Sequence, residues 1–228
     1  MRPSTAIRDT QSRLLTMALC LGMLSGAAWG LYQYTSGFEV WTYEGRRQVM
    51  LRAGALRASA VTLHAAPNDV PRLWQHTNVP SAAYLVDFIY TRCPSVCRSL
   101  GTEYQQMQSE LGRLAVDATG RGQVRLVSIS FDVEHDCLAH LAQFSTALGA
   151  DPVHWTVAVP ASKDEAKTLL KSLGVVVIPD GLGGFVHNGS IHLLDQRGQL
   201  RGLYEFDQWQ QALAAARDFV ASQPTVLP

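Results

Sequence analysis

Lysine is close to absent from this chain: among 228 residues it occurs only as Lys163, Lys167 and Lys171, at helical spacing. No run of Lys and Arg occurs, and 19 basic residues balance 19 acidic ones to a formal net charge of zero. A protein that neutralises backbone phosphates needs a basic stripe, so no nucleic acid is expected as a partner. No internal repeat or low-complexity tract appears. Cysteine is scarce too. Of four, Cys20 lies in an apolar N-terminal stretch, and Cys93, Cys97 and Cys137 are too few for a disulfide framework. Cys137 has no obvious mate and reads as a small buried hydrophobe.

What is present points to a folded domain behind a membrane segment. Hydrophobic residues make up 47% and charged residues 17%, proportions of a chain that builds a core. Residues 14–38 carry no charge, and 14–32 are mostly apolar. About 20 helical residues span the roughly 30 Å of bilayer hydrocarbon. Arg2, Arg8 and Arg13 precede the stretch against one Asp9, a bias that keeps the N-terminus cytoplasmic. Trp29, Tyr32 and Tyr34 suit an interfacial belt at the far end. The rival is a cleaved signal peptide, with Ser25-Gly26-Ala27-Ala28 as its small-residue site. Both readings send the remaining chain out of the cytoplasm. The expected organisation is a tail at 1–13, an anchor at 14–34, a lead-in at 35–60 with a turn at Glu44-Gly45-Arg46-Arg47, and a domain at 61–228.

Within that domain, strand and helix patterns alternate. Strands are expected at 61–64, 82–90, 123–131 and 154–159, and helices at 96–115, 135–148 and 163–173. Residues 82–90 form a nearly continuous apolar run suited to a sheet centre. Two further strands, 190–194 and 200–206, flank Asp195-Gln196-Arg197-Gly198, a hairpin turn signal, and a last helix runs over 207–222. The order implies an α/β fold with a central, mostly parallel sheet, a closing hairpin and helices on both faces, as in thioredoxin-like domains. Ligands of such sheets gather at the carboxyl ends of the strands, where Cys93, Asp132 and the loop before Ser190 would meet.

Cys93-Pro94-Ser95-Val96-Cys97 falls where the central strand gives way to a helix. A thiol at a helix start feels uncapped N–H groups and the positive end of the dipole, which favours its thiolate. The pair can close as a disulfide or grip a soft metal ion. Disulfide-exchange enzymes usually carry Cys-x-x-Cys and a proline facing the thiols; here the spacing is one longer, and 183–190 has His187 but no proline. Two thiolates and one imidazole make a soft, three-coordinate set that suits Cu(I) and also holds Cu(II). Zinc generally takes a fourth protein ligand at a structural site, and none is evident. A thiol peroxidase is disfavoured because Tyr90 stands where such enzymes place Thr or Ser. Met50 and Met107 form no methionine cluster, and Met107 reads as core. His187 alone would be an ordinary loop histidine. His192 reads as alternating into or out of a strand face, and Asp132, Glu134 and Asp136 as loop caps and solvated acids. Asp132 is also placed to tune a metal at that edge.

From about residue 61 to 206 the chain resembles the Sco/SenC family of membrane-anchored, thioredoxin-like copper proteins. The likeness rests on Asp87-Phe88-Ile89-Tyr90-Thr91-Arg92-Cys93-Pro94-Ser95-Val96-Cys97, on Ser130-Phe131-Asp132-Val133-Glu134-His135-Asp136, and on Val186-His187. It departs at Val133, where the family has Pro, at His135 in place of Arg, at Cys137 in place of a frequent Thr, and at His192, where the family is usually aromatic. The resemblance implies one copper ion held by Cys93, Cys97 and His187, and help in assembling the dinuclear copper centre of cytochrome c oxidase. It further implies three partners: the oxidase subunit bearing that centre, a thioredoxin-like reductant, and an upstream periplasmic copper donor. The location implied is the cytoplasmic membrane, with the domain facing the periplasm. Two other roles stay open: a thiol–disulfide reductase acting on that subunit, and a copper or redox sensor.

Overall fold

The computed structural model describes residues 5–35, 37–38, 40–65, 70–71, 74, 82–93, 96–114 and 124–223. Arg2, Pro94, Ser95, Ala115 and Gln123 lie outside these residues, as do the side chains of Arg8, Cys97, Leu100 and Leu114. The chain divides into two compact units, residues 1–49 and 50–228.

The first unit holds helix α1 (Thr5–Tyr34). Its stretch Gln11–Tyr34, 24 residues of mean hydropathy 1.7 and fully exposed, is long and apolar enough to cross a membrane. Helix α2 (Tyr43–Arg52) occupies the expected turn at Glu44-Gly45-Arg46-Arg47. Thr42 decides this: its Oγ1 accepts the Gly45 N–H at 3.0 Å and its carbonyl accepts that of Arg46 at 3.1 Å. Glu44 in the first turn and Arg52 in the last complement the helix dipole. Together these offset the roughly 1 kcal/mol that one helical glycine costs.

The second unit is built on strands β1 (Thr62–Ala65), β2 (Val70–Pro71), β3 (Ala83–Ile89), β4 (Val124–Ser130), β5 (Trp155–Pro160), β8 (Ile191–Asp195) and β9 (Leu200–Tyr204). They lie in the order β2-β1-β5-β4-β3-β8-β9. Parallel pairing is confined to β3–β4 and β4–β5; β1–β2, β1–β5, β3–β8 and β8–β9 are antiparallel. The sheet is therefore mixed, parallel only at its centre. β6 (Val177–Pro179) and β7 (Phe185–His187) make a separate antiparallel pair where the sequence suggested only a loop. Helices α3 (Val96–Leu114), α4 (Leu138–Leu148), α5 (Lys163–Ser172) and α6 (Trp209–Ser222) complete the unit.

All seven residues of β3 are buried, as a central strand with helices on both faces requires. On one face Tyr84, Val86 and Phe88 join Leu169 and Leu173 from α5 and its end. On the other, Leu85 and Ile89 meet Tyr104 and Met107 of α3 and Ala212, Leu213 and Ala216 of α6. Each large apolar side chain buried this way contributes about 1.5–3 kcal/mol. Met107 is core, as expected. The β8–β9 turn also forms as read: Gly198 adopts φ 76°, and Asp195 Oδ1 accepts the N–H groups of Arg197 and Gln199.

Candidate metal centre

The parallel pairing of β3 with β4 brings their carboxyl ends to one edge of the sheet. β8 runs antiparallel to β3, pairing Ala83 with Asp195 and Val86 with His192, so the chain entering β8 comes from that same edge. The turn bearing Cys93 leaves the end of β3, and the Cys93 N–H donates to the Tyr90 carbonyl at 3.1 Å. Cys93 is partly buried against the α3–α6 core. Cys97 is the second residue of α3, so the thiol pair straddles a helix start.

Two buried acids fasten this turn. The Asp136 carboxylate accepts the Thr91 N–H at 2.9 Å, the Thr91 hydroxyl at 2.6 Å and the Ser130 hydroxyl. Asp132, 5% exposed, accepts from Arg92 Nη2 at 2.8 Å and lies 2.9 Å from His135 Nδ1. Asp132 and Asp136 thus cap and latch the β3 and β4 loops, loop caps as expected but buried and not solvated. Glu134 alone is the solvated acid expected, exposed and 2.8 Å from Lys163 Nζ. The sequence signal for the latches was their place just past a strand of alternating polar and apolar residues. Nothing in spacing alone says that a loop acid turns inward.

His187 ends β7. Its ring stands edge-on to Phe131 at 5.3 Å; Phe131 in turn meets Phe185 at 5.3 Å and Tyr90 at 5.5 Å. The Tyr90 hydroxyl accepts the Phe185 N–H at 3.4 Å. Tyr90, Phe131 and Phe185 form an aromatic floor running from the cysteine turn to the histidine, a role the sequence reading did not assign. Two glycines make room for it. A Cβ on Gly184 would stand 3.1 Å from the Tyr90 hydroxyl, and one on Gly189 would collide with the Phe206 ring and sit 3.3 Å from His187 Cε1.

Burial lowers the His187 pKa below its ordinary value, which keeps the imidazole neutral. Its Nδ1 is buried and has no hydrogen-bond partner among the described residues. Leaving such a group unmatched costs about 1–3 kcal/mol. A neutral imidazole with an idle nitrogen is the kind of donor a soft metal ion takes. No cluster of three His, Cys, Asp or Glu groups set to hold a metal occurs among the described residues, which do not include the Cys97 side chain.

Cys137 differs from expectation, and His192 falls on the inward side of its strand. Cys137 is exposed rather than buried. The Asp132 carbonyl takes the N–H groups of His135 and Asp136, and Asp136 is drawn to Thr91, so α4 begins only at Leu138 and leaves Cys137 at its N-cap. Its Sγ lies 3.6 Å from His140 Nδ1. His192 is fully buried, with Nδ1 3.1 Å from the Val86 carbonyl and its ring edge-on to Phe88. It belongs to the core beneath α5, on the face away from Leu85 and Ile89.

A mixed central sheet, helices on both faces and a thiol-bearing turn after the central strand define a thioredoxin-like domain. Comparison with known proteins narrows that class. The SCO1/SenC family matches residues 71–220, and the chain belongs to it. The SCO1 protein homolog of Bacillus subtilis is 27% identical over 119 residues, 51% of this chain and 58% of that protein. BsSco, a member of the Sco family of cytochrome c oxidase assembly proteins in which a disulfide switch was identified, superposes with a TM-score of 0.60 at 19% identity, covering 74% of this chain and 96% of its own. Copper-bound ScoI of Bradyrhizobium japonicum gives 0.55 at 20% identity, over 72% and 99%.

Proposed function

We propose that this protein binds one copper ion through Cys93, Cys97 and His187 and delivers it during assembly of the dinuclear copper centre of cytochrome c oxidase. The observation that carries the reading is His187 Nδ1, buried, neutral and without a partner among the described residues, across an aromatic floor from the Cys93 turn. Family membership supports it, as does copper in the Bradyrhizobium relative. Copper is the cargo. The chain's own work is to hold two thiolates at a helix start, where their charge is favoured, and to keep the third donor deprotonated at neutral pH. Thiolates bind metal only when reduced, so an oxidising compartment demands a thiol reductant as partner. An upstream periplasmic copper donor and the oxidase subunit bearing the copper centre complete the set. α1 serves as the anchor, its N-terminus cytoplasmic, placing the second unit in the periplasm.

A thiol–disulfide reductase acting on the oxidase subunit is the rival, and the disulfide switch of BsSco favours it. It gives His187 Nδ1 no task. Copper titration of the full, reduced chain separates the two. Taking four-ligand structural zinc as a guide, binding of about 10–16 kcal/mol is roughly 3 kcal/mol per ligand, and hence about 10²-fold per ligand. His187→Ala is expected to weaken copper binding by about that factor while leaving disulfide exchange unchanged. Binding as tight in His187→Ala as in the unaltered chain would falsify the three-ligand assignment.

A further inference from the structure

α1 does not simply run on into the chain beyond it. Gly37 adopts φ 79° and its N–H donates to the Tyr32 carbonyl, closing the helix; the Thr35 hydroxyl donates to the Leu31 carbonyl at 2.7 Å and accepts the Phe38 N–H at 3.0 Å. Phe38 itself sits at φ 66°, the left-handed region that non-glycine residues rarely adopt. That costly conformation turns the backbone back, and Val40 N–H reaches the Thr35 carbonyl at 2.9 Å. The result is a ladder of rings. Trp29 stacks on Tyr32 at 6.2 Å, Tyr32 meets Phe38 edge-on at 5.6 Å, and Phe38 stacks on Trp41 at 5.9 Å. From α2, the Arg46 guanidinium lies 5.2 Å over the Tyr34 ring.

These rings are not a core. Trp29 is 65% exposed, Tyr34 71%, Trp41 66% and Tyr43 57%. Six aromatics within residues 29–43, all exposed and covalently continuous with a bare 24-residue apolar helix, are the chemistry of the bilayer interface, where one end of a ring is apolar and the other wet. We propose that the rings of Trp29, Tyr32, Tyr34, Phe38, Trp41 and Tyr43 form a juxtamembrane collar seated in the interfacial layer of a phospholipid bilayer, with Arg46 at the level of its phosphates. The ladder extends the belt beyond the end of α1, so the chain leaves the bilayer along its surface and not straight away from it. This rests on α1 being the anchor.

The test uses the full chain in vesicles of phosphatidylcholine and phosphatidylglycerol, with phosphatidylcholine brominated at shallow or deep acyl positions as quencher. Subtracting the fluorescence of Trp41→Phe or Trp29→Phe from that of the unaltered chain isolates each indole, and the phenyl ring preserves the ladder. The Trp41 contribution is expected to be lost in shallow bromolipid to the same extent as that of Trp29, and to resist aqueous iodide. A Trp41 contribution that iodide removes and bromolipid leaves, beside a lipid-quenched Trp29, would overturn the collar and leave the anchor standing. Iodide access to both indoles would overturn both. Lipid quenching of Trp41 with iodide access at Trp29 would overturn the ladder's order and the anchor with it.

Discussion

The two sides of the proposed copper site are held in different ways. The cysteine side grows from a central strand and is clamped by Asp132 and Asp136, both buried, through Arg92, Thr91 and Ser130. The histidine side rides on a two-stranded hairpin outside the main sheet, with Ile178 57%, Leu182 93% and Val186 64% exposed. Alternation along β7 turns Phe185 and His187 toward the floor and Val186 outward. Most of its hydrogen bonds are local, Asn188 to Val176 and Gly174 and Asp180 to Leu182 and Gly184, and it meets the rest of the domain mainly through Phe185 and His187 on the floor. Elements with few buried apolar contacts open at lower free energy than core strands. A metal that must leave is better held by two donors on a rigid edge and one on an element that opens cheaply.

The rigid edge carries its own cost, and the largest expected effect lies there. Asp87, in the middle of β3, is buried, and its Oδ1 has no partner among the described residues. Desolvation pushes its pKa up to about 7, the hydroxyls of Ser128 and Tyr104 opposing this only in part. The folded chain therefore keeps a proton that the unfolded chain releases near pH 4. Stability from this group is complete below that pH and is lost as pH rises to about 7. Three pKa units correspond to at most about 4 kcal/mol. Asp87→Asn should raise the denaturation midpoint at pH 8 and leave it unchanged at pH 4. An equal gain at both pH values would show that the carboxyl is ionised in the fold. Asp136→Ala comes next. It strands the Thr91 N–H and the Ser130 hydroxyl, at about 1–3 kcal/mol for each buried group left unpaired. Urea unfolding of reduced, metal-free protein measures it, and no change in midpoint would mean the latch is not load on the fold.

The same division explains what could be read in advance. Apolar runs and turn chemistry located β3, β4, β5, β8, β9 and the four helices of the second unit, because each is specified by its own residues. The β6–β7 pair was illegible: strands of three residues, flanked by glycine, with Ile178 and Val186 facing solvent, carry no inward alternation. The thiol pair stands out by type and spacing, whereas His187 is singled out only by the resemblance to Sco/SenC proteins. Asp132, Asp136 and Cys137 were misjudged because their burial depends on which loop lies opposite, and that is fixed only when β3 and β4 pair. α2 was missed for a simpler reason. A Gly-Arg-Arg sequence reads as a turn until Thr42 is recognised as its cap.

The hairpin supplies the smallest expected effect and the sharpest check on the comparison. Ile178 and Val186 oppose each other across the strands and both point outward. Replacing both with Thr keeps the β-branched shape and removes only exposed apolar surface, so stability should shift by no more than about 0.5 kcal/mol per site. Copper affinity should hold as well, because both side chains face solvent on the side of the hairpin opposite His187. Hydrogen exchange on the unaltered protein completes the contrast, with the amides of Val177, Ile178 and residues 185–187 expected to exchange well before those of 84–89. If the hairpin amides were protected as strongly as β3, the proposed third ligand would be as rigidly mounted as the proposed thiol pair. Copper release would then have to begin at a cysteine.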